Sequence, residues 1–263
     1  MKNTDFWIRD PFVLLDGGKY YVYGTTRPRE NHGFDLYTSD DLVNFDGPFE
    51  VFDYFDGFWG KMHYWAPEVH KYRGKYYMFA TFKDDGPWHG CQILCADTPM
   101  GPFKPHSEGP ITPKEWSSLD GTFYVDKNGT PFMIFCHEWL QNWNGTVEAI
   151  RLKDNFSGTF GERKLLFRAF DSPWSRDYDE NGKEIPNKVT DGPYVFRTQT
   201  GKLGMIWTSW VHDRYTQGVA YSTSGKLEGP WVQKPEPITP PNYGHGMIFR
   251  TFDGKLLLCC HSH

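Results

Sequence analysis

The sequence predicts an all-β protein, specifically a five-bladed β-propeller, on three observations. Aromatic residues make up 18% of the 263 positions, with 11 Trp, 15 Tyr and 21 Phe, and long stretches of helical period rich in Ala, Leu, Glu and Lys are missing. A strand, a tight turn and a second strand recur five times along the chain. Counted from Asp10 to Glu68, Asp120, Asp191 and His245, the copies are 58, 52, 71 and 54 positions apart. That period suits blades of about four strands.

The first copy runs from Asp10 through Phe12, Val13 and Leu14, turns at Asp16-Gly17-Gly18 and returns through Tyr20, Val22 and Tyr23. Gly at the turn supplies the positive φ that a tight reversal needs. The second begins at Ala66-Pro67-Glu68, turns at Arg73-Gly74 and returns through Tyr76 and Met78. The third runs from Asp120-Gly121 through Asn128-Gly129 to Phe135. The fourth begins Asp191-Gly192-Pro193 and turns at Gly201, and the fifth begins Gly244-His245-Gly246 and turns at Asp253-Gly254.

Outer strands follow several hairpins and lead to Gly47-Pro48, Gly101-Pro102 and Gly229-Pro230, which read as tight turns because Gly frees φ and Pro fixes it. Residues 174–183 form a polar insertion, expected as a loop, which accounts for the long third interval. The fifth hairpin is followed only by residues 259–263, so its outer strands come from residues 1–8 as a closing strand or the last blade is incomplete. Nothing marks a linker, and 1–263 reads as a single domain.

Net charge is only −5, without a basic stripe, which argues against nucleic acid as a partner. No apolar run approaches the ~20 residues of a membrane span, and the first residues carry no apolar leader core, so a cytoplasmic protein without membrane contact is expected. The cysteines at 91, 95, 136, 259 and 260 lie in strand-like runs without paired metal spacing and are expected to be buried free thiols.

Each copy opens on one ionisable residue: Asp10, Glu68, Asp120, Asp191 and His245. In a propeller the inner strands stand side by side around a channel, so equivalent strand starts meet at one end. Carboxylates gathered there repel one another and lose water, which drives their pKa values apart. Glycoside hydrolysis needs such a pair, one carboxyl protonated to assist the leaving oxygen and another ionised to activate water. A turn-forming role would explain any single Asp; recurrence at one repeat position favours a site.

Arg9-Asp10-Pro11, Trp65-Ala66-Pro67-Glu68, Leu119-Asp120-Gly121, Asp191-Gly192-Pro193 and Gly244-His245-Gly246, in this order, resemble glycoside hydrolase family 43, whose five-bladed propellers remove arabinofuranosyl or xylosyl units. The resemblance implies Asp10 as general base, Asp120 as the carboxylate that tunes the acid, and Asp191 as general acid, where the family usually has the longer Glu. It implies a sugar-contacting role for Glu68, with a lesser claim as a substitute acid. His245 resembles a channel histidine near a water-bound cation in some arabinan-cleaving relatives. A lone neutral imidazole is a poor cage for calcium or sodium, so no dedicated metal site and no cofactor are expected.

Trp65 and Trp116 are candidates to line the sugar site, since flat apolar faces stack on C–H groups; Trp139, Trp207 and Trp210 are expected in packing. His137 and Glu138 could reach sugar hydroxyls or lie on the surface. The expected partner is an oligosaccharide or glycoside, hydrolysed at a terminal pentosyl linkage with inversion. The rivals are a weak or inactive carbohydrate-binding propeller, prompted by Asp in place of Glu, and galactosyl or fructosyl chemistry on a related propeller.

Overall fold

The computed structural model describes residues 1–262 apart from 28, 187, 212 and 213. Its first sheet is β1 (Ile8–Asp16), β2 (Lys19–Thr26), β3 (Gly33–Ser39) and β4 (Phe45–Asp53), paired antiparallel in chain order. The second is β5 (Met62–Tyr72), β6 (Lys75–Lys83), β7 (His89–Ala96) and β8 (Lys104–Pro105). The third is β9 (Ser118–Val125), β10 (Pro131–His137), β11 (Thr146–Leu152) and β12 (Thr159–Arg168). A hairpin of β13 (Arg176–Tyr178) and β14 (Glu184–Pro186) follows. The last sheet joins β15 (Asp191–Arg197), β16 (Leu203–Val211), β17 (Arg214–Ser222), β18 (Trp231–Gln233), β19 (Tyr243–Arg250) and β20 (Leu256–Ser262). Among the described residues the only α-helix is the single turn α1 (Trp139–Asn142).

The arrangement is an all-β propeller, with a correction to the expected five separate blades. Hydrogen bonding gives four multistranded sheets, because β19 runs parallel to β17 at Thr216 and Tyr243 and so draws the fifth hairpin into the fourth sheet. Among the described residues the hairpin has no third strand of its own to close a separate blade. Residues 1–8 do not serve it: the Met1 ammonium donates to the Phe45 carbonyl at 2.8 Å and Ile8 pairs with Thr26, both in the first sheet. The 174–183 insertion is not a plain loop, since it carries β13 and the turn to β14. Gly47-Pro48 lies inside β4 rather than in a tight turn.

The hairpins form for the reasons read from their residues. Gly17 and Gly18, Gly74, Gly129, Gly201 and Gly254 all take positive φ at the turns. Between adjacent sheets the alternate side chains interdigitate. Phe34, Phe52, Tyr64 and Phe82 pack as one aromatic cluster between the first two sheets, Phe79, Phe123 and Phe156 between the second and third, and Trp174 on Trp207 at 4.9 Å beside the fourth. A fully buried side chain of this kind contributes about 2–3 kcal/mol. All five cysteines are free thiols, Cys91 and Cys136 fully buried.

One irregularity recurs in every inner strand. Pairing between the first two strands of each hairpin jumps by one residue, leaving a two-residue bulge opposite a single partner: Asp10-Pro11, Ala66-Pro67, Asp120-Gly121, Gly192-Pro193 and His245-Gly246. The first residue of each bulge has positive φ, at 52°, 47°, 56°, 48° and 42° in that order. Left-handed backbone costs a non-glycine residue about 1–2 kcal/mol, less for Asp and His than for others, and it persists where the surroundings enforce it. Three of the five positions carry the ionisable residues Asp10, Asp120 and His245.

The neighbouring repeat enforces it. The residue opposite the position just before each bulge is Thr25, Thr81, Cys136, Thr208 and His261. The Thr25 hydroxyl accepts the Ala66 N–H at 2.9 Å, Thr81 that of Asp120 at 2.9 Å, Thr208 that of His245 at 2.8 Å, and His261 Nδ1 that of Asp10 at 3.1 Å. Four of the five repeats thereby fix the backbone at which the next one presents its side chain.

Candidate functional site

The bulges place Asp10, Asp120 and His245 at the same repeat position. Asp191 precedes the fourth bulge by one residue and Glu68 follows the first residue of the second by two, so the five ionisable strand openers are not strictly equivalent; Ala66 and Gly192 hold those places. Asp10, Asp120, Asp191 and His245 nonetheless form one network, and Glu68 stands outside its hydrogen bonds. His245 Nδ1 lies 3.2 Å from Asp10 Oδ1 and 3.7 Å from Asp120 Oδ2. Asp120 Oδ2 accepts the Gly192 N–H at 2.9 Å, next to Asp191, whose Oδ2 accepts the Tyr215 hydroxyl at 3.0 Å. Asp10 Oδ2 accepts the Thr25 hydroxyl at 2.7 Å. The Asp10 side chain keeps 11% of its surface exposed, enough to meet a water molecule.

Surroundings set the three carboxyls apart. Burial pushes Asp10 up, but His245, His261, Arg9 and the Thr25 hydroxyl outweigh it and hold the group below its ordinary value, ionised. Burial raises Asp120 to about 6, with His245 pulling down and Asp10 and Glu68 pushing up. Burial, then the Asp120 charge, raises Asp191 to about 7. Burial alone would lower the pKa of His245, yet Asp10, Asp120, Asp191 and Glu68 outweigh it and raise the imidazole above its ordinary value. The site can hold an ionised carboxylate and a protonated carboxyl together near neutrality, as acid–base hydrolysis requires.

The profile of glycosyl hydrolases family 43 matches residues 5–263. The chain belongs to glycosyl hydrolases family 43. The endo-arabinase of Bacteroides thetaiotaomicron VPI-5482 is 37% identical to this family-43 chain and superposes with a TM-score of 0.91 over all of it and 92% of the other. The endo-1,4-beta-xylanase of the same organism is 25% identical, with a TM-score of 0.79 over 97% of this chain and 84% of that one. Xylosidase/arabinosidase 43A of Humicola insolens is 27% identical over 194 residues, 68% of this chain and 53% of its own length. The chain spans about half the length of the curated relatives it matches.

This family-43 chain also carries two sets of stacked rings. Trp65, just ahead of the second bulge, stacks on His63 at 4.2 Å and lies 4.9 Å from His89, and His63 Nδ1 meets His89 Nε2 at 2.8 Å. His89 Nδ1 reaches Ser117 Oγ at 3.1 Å and Glu138 Oε2 at 3.3 Å, and Ser117 donates to Glu138 at 2.6 Å. Glu138 is thus part of a buried chain of polar groups, and it adds to the negative field on Asp191. Trp116 stacks on His137 at 3.8 Å and has the Arg163 guanidinium 3.8 Å from its ring, in a cleft of about 390 Å³ shared with Thr146 and Glu148. Glu68 is buried, its Oε2 held by Thr122 at 2.6 Å and by His70 Nε2 at 3.0 Å. A larger cleft of about 760 Å³, lined by Trp59, Trp88, His89 and Pro110 among others, touches the first set at His89; neither cleft is lined by the three aspartates.

Tyr215 and His261, which hold Asp191 and Asp10, and the hydroxyls of Thr25 and Thr208 were not legible as site residues. A signal for the threonines exists: Thr25, Thr81 and Thr208 stand at one place in the returning strand of their hairpins. Tyr215 lies in a third strand, and His261 replaces threonine in the ring, so neither belongs to a visible repeat motif. Trp207 is fully buried in packing, as expected. Among the described residues no group of three or more His, Cys, Asp or Glu is arranged to hold a metal ion.

Proposed function

We propose that this chain hydrolyses pentosyl linkages with inversion, the α-L-arabinofuranosyl bond being favoured over the β-D-xylosyl bond. The observation that carries this is the single buried network in which Asp10 stands between two imidazoles and Asp191 beside a second carboxylate. Asp10, ionised and partly exposed, takes a proton from water as the water attacks the anomeric carbon. Asp191, protonated, donates to the departing glycosidic oxygen, with its hydroxyl direction restrained by Tyr215. Asp120 raises the acid's pKa, and His245, set against Asp10 and Asp120, favours their ionised forms. The five inner strands act as five repeats of one propeller, β19–β20 being the short one. Trp65, Trp116 and the buried Glu68 are the groups assigned to sugar contact.

Arabinose is favoured because the endo-arabinase is the relative at 37% identity and a TM-score of 0.91. The same likeness supports a second reading, cleavage within an arabinan chain rather than at its end. The test is release of nitrophenol from aryl arabinofuranoside, xyloside, galactoside and fructoside, together with product chromatography on debranched arabinan. Asp10→Asn should lower kcat by about 10²–10⁴ on every substrate cleaved. Asp191→Asn should lose as much on arabinan but far less on aryl glycosides, whose leaving group needs little protonation. Proton NMR of the first product should show the inverted anomer. A retained anomer, or sugar binding without turnover on any substrate, sinks the assignment.

A further inference from the structure

The ring of side chains that hold the bulges has one exception. At four of the five junctions a Thr hydroxyl or the His261 ring nitrogen accepts the N–H of the next bulge. The equivalent residue between the third and fourth repeats is Cys136, opposite Leu119 in β10. A thiol is a weak acceptor and a long-bonded one. The Gly192 N–H, which a hydroxyl there would take, goes instead to Asp120 Oδ2 at 2.9 Å. Cys136 is fully buried among Leu119, Ile134 and Val147, with the Thr190 hydroxyl as its polar neighbour.

We propose that Cys136 is a positioning residue that acts by offering no strong acceptor: it leaves the Gly192 N–H to Asp120 and so ties the third-repeat carboxylate to the backbone that carries Asp191. The consequence rests on the hydrolase reading above. A carboxylate that accepts a backbone N–H is stabilised in its ionised form, so the tie keeps Asp120 charged while Asp191 holds the proton. A hydroxyl at 136 would claim the N–H, free Asp120 to rotate, and move the shared proton from Asp191 towards Asp120. The charged and titratable groups facing this pair are Asp10, Glu68, Cys91, Glu138, Tyr215 and His245, besides Cys136 itself, and the exchange alters only the last directly.

The test compares Cys136→Ser, which installs the acceptor at nearly the same volume, with Cys136→Ala, which removes the thiol and installs none. Two measurements are made on each: the Gly192 amide resonance in ¹⁵N-labelled protein across pH 4–8, and kcat and KM on arabinan. In the wild type and in Cys136→Ala the Gly192 amide proton should titrate with Asp120. In Cys136→Ser it should lose that pH response, with kcat at pH 7 lowered about tenfold and KM changed less than twofold. An unchanged Gly192 amide in Cys136→Ser, or the same change in both variants, overturns the proposal and leaves Cys136 as packing. The amide measurement needs no turnover. Absence of hydrolysis in every form would therefore refute the reaction assigned above, while the amide still decides the hydrogen bond.

Discussion

A carboxyl that must hand over a proton near neutrality has to resist ionising, and Asp191 does so through burial and the neighbouring Asp120 charge. Its pKa, near 7, lies above that of the unfolded chain. The folded protein therefore keeps a proton that the unfolded chain has already lost, and stability falls as pH rises from the ordinary carboxylate range to about 7. Asp10 has the opposite sign, being held down, and its ionised form persists to low pH. Activity should fall as pH rises through about 7, when Asp191 loses its proton, and should hold on the acid side until Asp10 is protonated. Asparagine at 191 carries no charge at any pH. Melting curves of Asp191→Asn and the wild type should diverge as pH rises from 4 to 8, the variant gaining about 1–3 kcal/mol over that span. Curves that stay parallel would show that Asp191 ionises normally.

The bulge is the element that converts a strand into a site, and glycine appears there for a reason. A Cβ on Gly192 would stand 2.5 Å from His245 Cδ2, in backbone at φ 48°. Gly192→Ala should displace the imidazole from between Asp10 and Asp120, lowering kcat at least tenfold and stability by about 1–3 kcal/mol. Kinetics and calorimetry on the variant check both, and an active, equally stable protein would mean that His245 can move freely.

The bulges also mark where reading the sequence stopped. The hairpins were legible because Gly turns and alternating aromatics leave a local trace, and Asp10, Asp120, Asp191 and His245 because each opens a strand. A bulge adds one residue to one strand only, so equivalence slipped: Glu68 and Asp191 looked like repeat partners of Asp10 although Ala66 and Gly192 are. The sheet count slipped for a similar reason. One parallel pairing, Thr216 with Tyr243, merges the last hairpin with the fourth sheet, and no local pattern announces a contact between strands 27 residues apart.

At the scale of the whole molecule, the circle closes between the first and fifth repeats through side chains. Among the described residues no backbone ladder joins β1 to the last sheet. The Asp10 N–H donates to His261, the Val13 N–H to Met247 Sδ at 3.0 Å, and the Phe252 N–H to the Tyr20 hydroxyl at 3.0 Å, with His245 paired to Asp10 across the same junction. His261→Ala would strand a buried N–H, which costs about 1–3 kcal/mol. For a protein of this size that is about 2–4 °C of melting temperature per kcal/mol, measurable by calorimetry. A melting temperature unmoved by the change would mean that the closure is carried elsewhere.

That closure has a further result. Like the joints between the first, second and third sheets, this one has no shared ladder among the described residues, and it is the one that holds Asp10, the proposed water-activating carboxylate. Partial opening there parts Asp10 from His245 and His261 while every sheet stays intact. Warming should therefore silence the enzyme before it denatures it. Turnover would vanish at temperatures where circular dichroism still reports native sheet, and would return on cooling.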